Sequence, residues 1–482
     1  MANHHVHLKE WTAFSMSDRY FLVRVKTQFS QEISKQDFDA LQALPNRGPV
    51  TVDDDQLDLM NRCKLLDPKP KTEEEETAYE HRIAENALKA IRPFSALELL
   101  VAQACNMRCK YCLAGDGEYG RREMMNWDVA KKALDRMIGT ARETADKSGK
   151  NPHASILFFG GEPLMNLPLI KQCVTYCDRE LGEGNTSYSL TTNGVLLTPE
   201  TMDWLDANRV SYALSFDGPY QNENRPIRSG EDSYQMIVGR IWQVINKHGS
   251  CAVIGTVFPE QKREEIVREI KNLFGDKVRY QINAVGGSGV TGARDAGPCA
   301  EMGQNSKRYP EWTMQFIEAI NGRDGQAVKS VLADNYFRKF AVPAIDSPGA
   351  PLVPVFCGCG RGMCSVDCEG NLYPCQSFVG VERYCQGNLD SGYDRGVFSR
   401  HITQENAKCR HCAVRYACPG DCMMNTSTMP EAANLPEPVF YAPDEFCELQ
   451  HTKQRLRALI HWSIDGDARA WFHRTFDKSE EK

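Results

Sequence analysis

Cys105, Cys109 and Cys112 stand in the segment ACNMRCKYC with the spacing CxxxCxxC. Three thiolates this close in sequence suit an iron–sulfur cluster. A fourth would close the last iron of a 4Fe–4S cube, so three leave one iron open to a small ligand. A structural zinc knuckle, or three unrelated thiols, is the plainer alternative. The apolar run Leu97–Leu100 before them reads as the end of a strand. Open parallel sheets place their chemistry at such ends.

Other reactive residue types follow apolar runs in the same way. Gly160, Gly161, Glu162 and Pro163 come after SILFF. Two adjacent glycines let a ligand approach the backbone closely, and Glu162 can accept from an amine. Thr192 and Asn193 (TTNG) close the next run, and Ser215 and Asp217 (SFDGP) the one after. Asn and Asp before Gly also form turns unaided. Gly255–Val257 fits a ligand wall and an ordinary strand equally well.

A second cysteine set lies far downstream, where eleven of the nineteen cysteines fall between Cys357 and Cys447. Cys357 opens CGCG, and Gly370 to Cys375 reads Gly-x4-Cys. Cys409, Cys412, Cys418 and Cys422 fit Cx2Cx5Cx3C, and Cys447 closes the series. A zinc ribbon explains CxxC but not this order of seven. Disulfides do not persist in a reducing compartment, so clustered cysteines there bind metal. Cys173 and Cys177 sit on a helical pattern and read as small buried hydrophobes.

These motifs need a scaffold, and the periodicity supplies one. Strands are expected at 96–103, 155–159, 187–191, 211–215, 251–257 and 278–282, with amphipathic helices at 127–142, 169–181, 199–208, 234–247 and 262–274. Six alternating units predict a parallel, partly closed (β/α)6 barrel of the α/β class. Residues 285–308 are Gly-rich, a loop or lid candidate, and 310–345 look helical. Residues 1–68, with the strand Tyr20–Val25 and helices over 34–44 and 52–65, suit a winged-helix-like unit. Residues 69–93 are charge-dense and read as a linker helix. The barrel is expected over 94–345 and the Cys-rich domain with its tail over 346–482.

Taken together, CxxxCxxC, GGEP and the strand-end TTNG and SFDGP resemble the radical S-adenosylmethionine (SAM) enzymes. The resemblance implies that SAM chelates the open iron and is cleaved to a 5′-deoxyadenosyl radical. It implies that Gly160, Gly161, Glu162 and Pro163 meet the SAM amino group through backbone groups. It gives Thr192, Asn193, Ser215 and Asp217 the ribose and carboxylate. The family's His-Asp pair after the DGP turn is missing here, where DGPYQNENRP keeps only Arg225 and Pro226.

The downstream cysteines resemble the SPASM extension, which implies two auxiliary 4Fe–4S clusters and three cubes in all. Auxiliary cluster I then takes Cys357, Cys375 and Cys422, with Cys364 as fourth ligand and Cys359 and Cys368 as rivals. Auxiliary cluster II takes Cys409, Cys412, Cys418 and Cys447. The stretch Cys112–Gly120 is similar to one in maturases of the quinohemoprotein amine dehydrogenase small subunit, which form thioether bonds in a protein. The leading expectation is a maturase that installs a thioether or carbon–carbon crosslink in a ribosomally made peptide or protein. The N-terminal unit would bind a leader peptide by strand addition, and a flavodoxin or ferredoxin would supply electrons. A sulfatase-maturing, formylglycine-forming enzyme and a noncatalytic iron–sulfur scaffold are the alternatives; sulfatase-maturing chains usually lack some 90 leading residues, and this chain has them. No acid or base is singled out.

Composition bounds the rest. At 482 residues the chain should hold two or three domains. It is 41% hydrophobic and 25% charged, with net charge −7, which speaks against nucleic acid as a partner. No apolar run approaches a membrane span, and the N-terminus lacks the apolar core of a signal peptide, so a cytoplasmic location is expected.

Overall fold

In the computed structural model the described residues are 3–70, 72, 74–75, 78, 94, 96–258, 260–285, 299–347, 358–360, 362–394, 407–410, 412–416, 418, 422, 424 and 444–476. Cys357, most of the linker and residues 286–298 of the lid candidate lie outside them.

The N-terminal unit has two antiparallel sheets. β1 (His4–Leu8) pairs with β5 (Gly48–Val52), and β2 (Trp11–Met16), β3 (Arg19–Arg24) and β4 (Phe29–Ile33) form a meander. Helices α1 (Lys35–Gln42) and α2 (Asp54–Arg62) have caps at Ser34 and Asp53, the second with Gln56 in a capping box. Five strands and two helices therefore stand where one strand and two or three helices were expected.

The central sheet holds six parallel strands in chain order: β6 (Ala96–Gln103), β8 (Ala154–Gly160), β9 (Thr186–Thr192), β10 (Val210–Ser215), β11 (Cys251–Val257) and β12 (Val278–Ala284). Helices α3 (Trp127–Ser148), α4 (Leu167–Leu181), α5 (Pro199–Ala207), α6 (Ser233–His248) and α7 (Arg263–Phe274) connect them. The expected strands and helices match these closely. Asn126, Thr198 and Asp232 cap α3, α5 and α6, and left-handed Gly149 and Gly249 end α3 and α6.

The sheet continues beyond β6. On the edge of β6 away from β8, β7 (Glu123–Met124) pairs antiparallel with its C-terminal end and β13 (Met363–Val366) pairs parallel with its start, followed by antiparallel β14 (Leu372–Tyr373). The Cys-rich segment is thus joined to the barrel by backbone pairing. Buried on both sides, β6 loses the usual alternation and is nearly all apolar, with Glu98 and Gln103 the exceptions.

A second core forms from α8 (Cys299–Asn321), α9 (Gly325–Val331), α10 (Asn335–Asp346), α11 (Asp444–Ser463) and α12 (Gly466–Phe476). Phe14, Phe21 and Val23 of the N-terminal meander complete it. Among the described residues no helix is long and apolar enough to cross a membrane.

Candidate functional site

The C-terminal ends of the six parallel strands gather the residues singled out by type and spacing. Cys105 follows β6; Gly161 and Glu162 follow β8; Thr192 ends β9 and Asn193 follows it; Ser215 ends β10. The cysteine loop is held from one side by the segment after β10. Arg108 N donates to Pro226 O at 2.9 Å, Lys110 N to Asn224 O at 2.9 Å, and Arg228 N to Asn106 O at 2.9 Å. Arg225 and Pro226 therefore give the loop a strand-like partner.

On the other side the loop rests on the two glycines. A Cβ on Gly160 would lie 2.1 Å from Ala102 O, and one on Gly161 only 2.4 Å from Ala104 O and 2.3 Å from Gly117 O. No side chain fits there, and Gly160 also has φ +135. The glycines thus permit a backbone-to-backbone approach that fixes Cys105 against the end of β8.

The three thiols interact electrostatically with one another. Burial pushes Cys105 up to about 12 and Cys109 up to about 11, the Arg225 guanidinium opposing it at Cys109; burial also raises Cys112. Unmetallated, all three hold their protons, and iron would replace those protons with a compensating charge. Cys105 is buried, and Cys109 and Cys112 are partly buried. A three-thiolate donor set of this kind fits a cluster with one open iron.

The polar motif residues are occupied by one another. Glu162 accepts from Leu164 N at 3.0 Å, Thr192 Oγ1 at 2.8 Å and Asn193 N at 2.7 Å. Burial pushes its carboxyl up to about 7, the three donors pulling the other way. Asn193 Nδ2 donates to Asn106 Oδ1 at 2.7 Å and lies 3.7 Å from Cys105 Sγ. Asp217 accepts from Thr256 N at 2.8 Å, Tyr111 Oη at 2.5 Å and Asn224 Nδ2 at 3.3 Å, and pairs with Arg225 at 3.1 Å. Its oxygens are thus satisfied within the protein. Pro163 starts the single turn after Glu162.

Tyr111, Asn224 and Arg225 form a buried network behind the cysteine loop that sequence reasoning missed. Arg225 stacks on Tyr111 at 5.1 Å, and its charge acts on the Cys109 thiol. Burial opposes the charge of Arg225, but Asp217, Tyr111 and Cys109 more than offset it. The retained Arg225–Pro226 pair after a shortened DGP turn was the available signal.

The downstream cysteines fall into distinct surroundings. Cys359 and Cys375 share a small core with Leu100, Tyr119 and Phe378, and Cys112, Cys418, Cys422 and Cys447 pack at its edge. Cys409, Cys412 and Cys447 interact with one another, burial pushing Cys409 up to about 11. Cys412 Sγ lies 3.5 Å from His451 Nε2. Cys364 does not join Cys375. It lies fully buried on β13, where side chains alternate, and packs with Val366 into the barrel core, while Met363 packs at the edge of the small core. Cys368 Sγ donates to Leu100 O at 3.4 Å.

Comparison with known proteins agrees with this arrangement. A family model described as the radical SAM superfamily matches residues 99–273. The chain carries a radical SAM domain. The radical SAM cyclopropyl synthase TigE of Paramaledivibacter caminithermalis is 29% identical over 211 residues, 42% of this chain and 42% of that protein. The chain thus spans less than half the length of that relative. The mycofactocin maturase MftC of Mycolicibacterium smegmatis is 24% identical over 331 residues, 66% of this chain and 76% of that protein. Among solved structures, native anSMEcpe with bound AdoMet aligns with a TM-score of 0.56 at 17% identity, covering 76% of this chain and 98% of that one. That likeness is one of fold. The radical SAM domain implies a 4Fe–4S cluster and SAM.

Proposed function

We propose that the chain is a radical SAM maturase that installs a thioether or carbon–carbon crosslink in a ribosomally made peptide or protein. The observation that carries the reading is the three-cysteine loop, pinned between the glycines after β8 and the Arg225–Pro226 segment. A 4Fe–4S cluster and SAM bound there would supply radical chemistry that removes hydrogen from a substrate carbon. Cys105, Cys109 and Cys112 would hold the cluster. The buried Arg225–Asp217–Tyr111 network keeps the loop in place. Glu162 braces Thr192 and Asn193, so the SAM amine would meet backbone groups of Gly160–Pro163 rather than this carboxylate. The Ser215 hydroxyl, at the end of β10, would face the SAM ribose or carboxylate. The names of the two relatives, a cyclopropyl synthase and a maturase, support a product-forming radical enzyme over a scaffold.

The finer assignments belong to the same reading. Residues 346–482 would be a SPASM-type domain with two further clusters. Cys409, Cys412, Cys418 and Cys447 would hold one, and Cys357, Cys375 and Cys422 the other. The surroundings favour Cys359 over Cys364 as the latter's fourth ligand. Residues 1–68 would serve as a winged-helix-like element that captures a leader peptide, with a cytoplasmic flavodoxin or ferredoxin as reductant.

Anaerobic reconstitution tests the core of this. The wild type should hold about twelve irons, three cubes, and release 5′-deoxyadenosine from SAM under reduction. The triple alanine variant at Cys105, Cys109 and Cys112 should lose about four irons and all cleavage. Cleavage at the wild-type rate would refute the site. Mass spectrometry of a neighbouring peptide co-expressed with the enzyme would identify the bond formed.

A further inference from the structure

Tyr119 is buried beside the cysteine loop, and its hydroxyl has no hydrogen-bond partner among the described residues. A buried hydroxyl left unpaired is costly, and native proteins rarely retain one. Its backbone adds to the cost, with φ +52, a region aromatic side chains seldom adopt. The chain thus accepts two penalties to hold this phenol inward.

Its surroundings narrow what the hydroxyl is for. The ring lies in the small core with Leu100, Ala114 and Cys375, and Cys112 packs at the edge. The acidic groups around the hydroxyl include Cys112, Glu98, Cys375 and Cys105. Glu98 already accepts from Gln376 N at 2.8 Å and from Ser365. A phenol hydroxyl has one proton to donate, and none of these neighbours receives it. It therefore stands as a free donor between the Cys105–Cys112 loop and Cys375.

We propose that Tyr119 Oη donates a hydrogen bond to the sulfur of Cys112 when that thiolate holds its cluster, as a positioning residue that raises the cluster's reduction potential. The proposal rests on the cluster assignment to Cys105, Cys109 and Cys112. A donor aimed at a ligating sulfur stabilises the added negative charge of the reduced cluster, one of the ways a protein sets such potentials.

The test is Tyr119→Phe, which keeps the ring and removes the hydroxyl. Iron content and the potential of each cluster are read in the reconstituted enzyme by EPR-monitored redox titration. The variant should hold as much iron as the wild type, and the cluster on Cys105, Cys109 and Cys112 should move to lower potential. An unmoved potential at full iron load overturns the proposal, as does a shift confined to a C-terminal cluster. A wild-type protein whose triple alanine variant loses no iron would instead overturn the cluster assignment. A second reading covers a variant that loads poorly. Without clusters, Tyr119→Phe should melt higher than the wild type, because an unpaired hydroxyl is gone, and reconstitution should erase that advantage. A variant that melts lower in the cluster-free state would mean the hydroxyl already has a protein partner, and the proposal fails.

Discussion

Glu162 ties the ends of β8 and β9 together by accepting from Leu164 N, Thr192 and Asn193 N. Two effects oppose each other there. Burial disfavours the charge and three donors favour it, with the balance at about 7 against an ordinary 4.5. A carboxyl that binds its proton more tightly when folded contributes stability fully below 4.5 and loses it as pH rises to about 7. Glu162→Gln removes that titration and turns an amide N–H toward a backbone donor, at a cost of about 1–3 kcal/mol. Urea melts from about pH 5 to about pH 8 should show the wild type's advantage over the variant shrinking as pH rises. A constant advantage would mean the donors outweigh burial. What was legible at this scale was residue type. GGEP announced a close backbone approach, but nothing in the sequence revealed that the glutamate's partners are Thr192 and Asn193, which requires β8 and β9 to be neighbours.

At the scale of elements, the six parallel strands were legible because short strand-like runs alternate with amphipathic helices, three of them opened by a polar cap. β13 was not. Its four residues pair with β6 from far along the chain, and a long-range insertion leaves no mark on local periodicity. That insertion decides the side on which Cys364 falls, so the choice among Cys359, Cys364 and Cys368 was also illegible. Of the N-terminal strands only β3 was expected; the others were missed because histidine and other polar residues occupy exposed positions, as in HHVHL and FSQEI. The end of β8 invites a direct test. A methyl group on Gly161 has to displace the backbone at Ala104, which precedes Cys105, or at Gly117, which packs against it. Gly161→Ala should cost about 1–3 kcal/mol through overpacking. It should also weaken cluster retention, seen as lost iron absorbance on dilution. The same substitution at Gly139, where a Cβ meets nothing within 4 Å, should cost neither. Equal iron retention in both variants would show that the β8 end does not position the cysteine loop.

For the whole molecule, the N-terminal unit is a packed part of the body rather than an appendage. Phe14, Phe21 and Val23 share a core with Phe316, Phe337 and Leu456. Arg415, in the loop between Cys412 and Cys418, pairs with Glu10 at 2.6 Å. Gln28 donates to Ala413 O at 2.9 Å and accepts from Gln454 at 3.2 Å. Removing residues 1–68 would therefore strip one wall of a core and expose a contiguous apolar face, which favours aggregation. Such a deletion cannot separate peptide capture from folding. Glu10→Gln can, because it changes one atom and leaves the core intact. It leaves the Arg415 guanidinium, whose side chain is 6% exposed, facing a neutral amide. Breaking a fully buried pair costs about 3–5 kcal/mol. Glu10 keeps 17% of its side chain in solvent, so water relieves part of the loss and about 1–3 kcal/mol is expected. The loop that would loosen carries Cys412 and Cys418. Iron loss should thus be confined to the cluster assigned to Cys409, Cys412, Cys418 and Cys447, with SAM cleavage at Cys105–Cys112 retained. Iron analysis beside 5′-deoxyadenosine release measures both. Full iron content with an unchanged melting temperature would show that the N-terminal sheet touches the cysteine loop without supporting it.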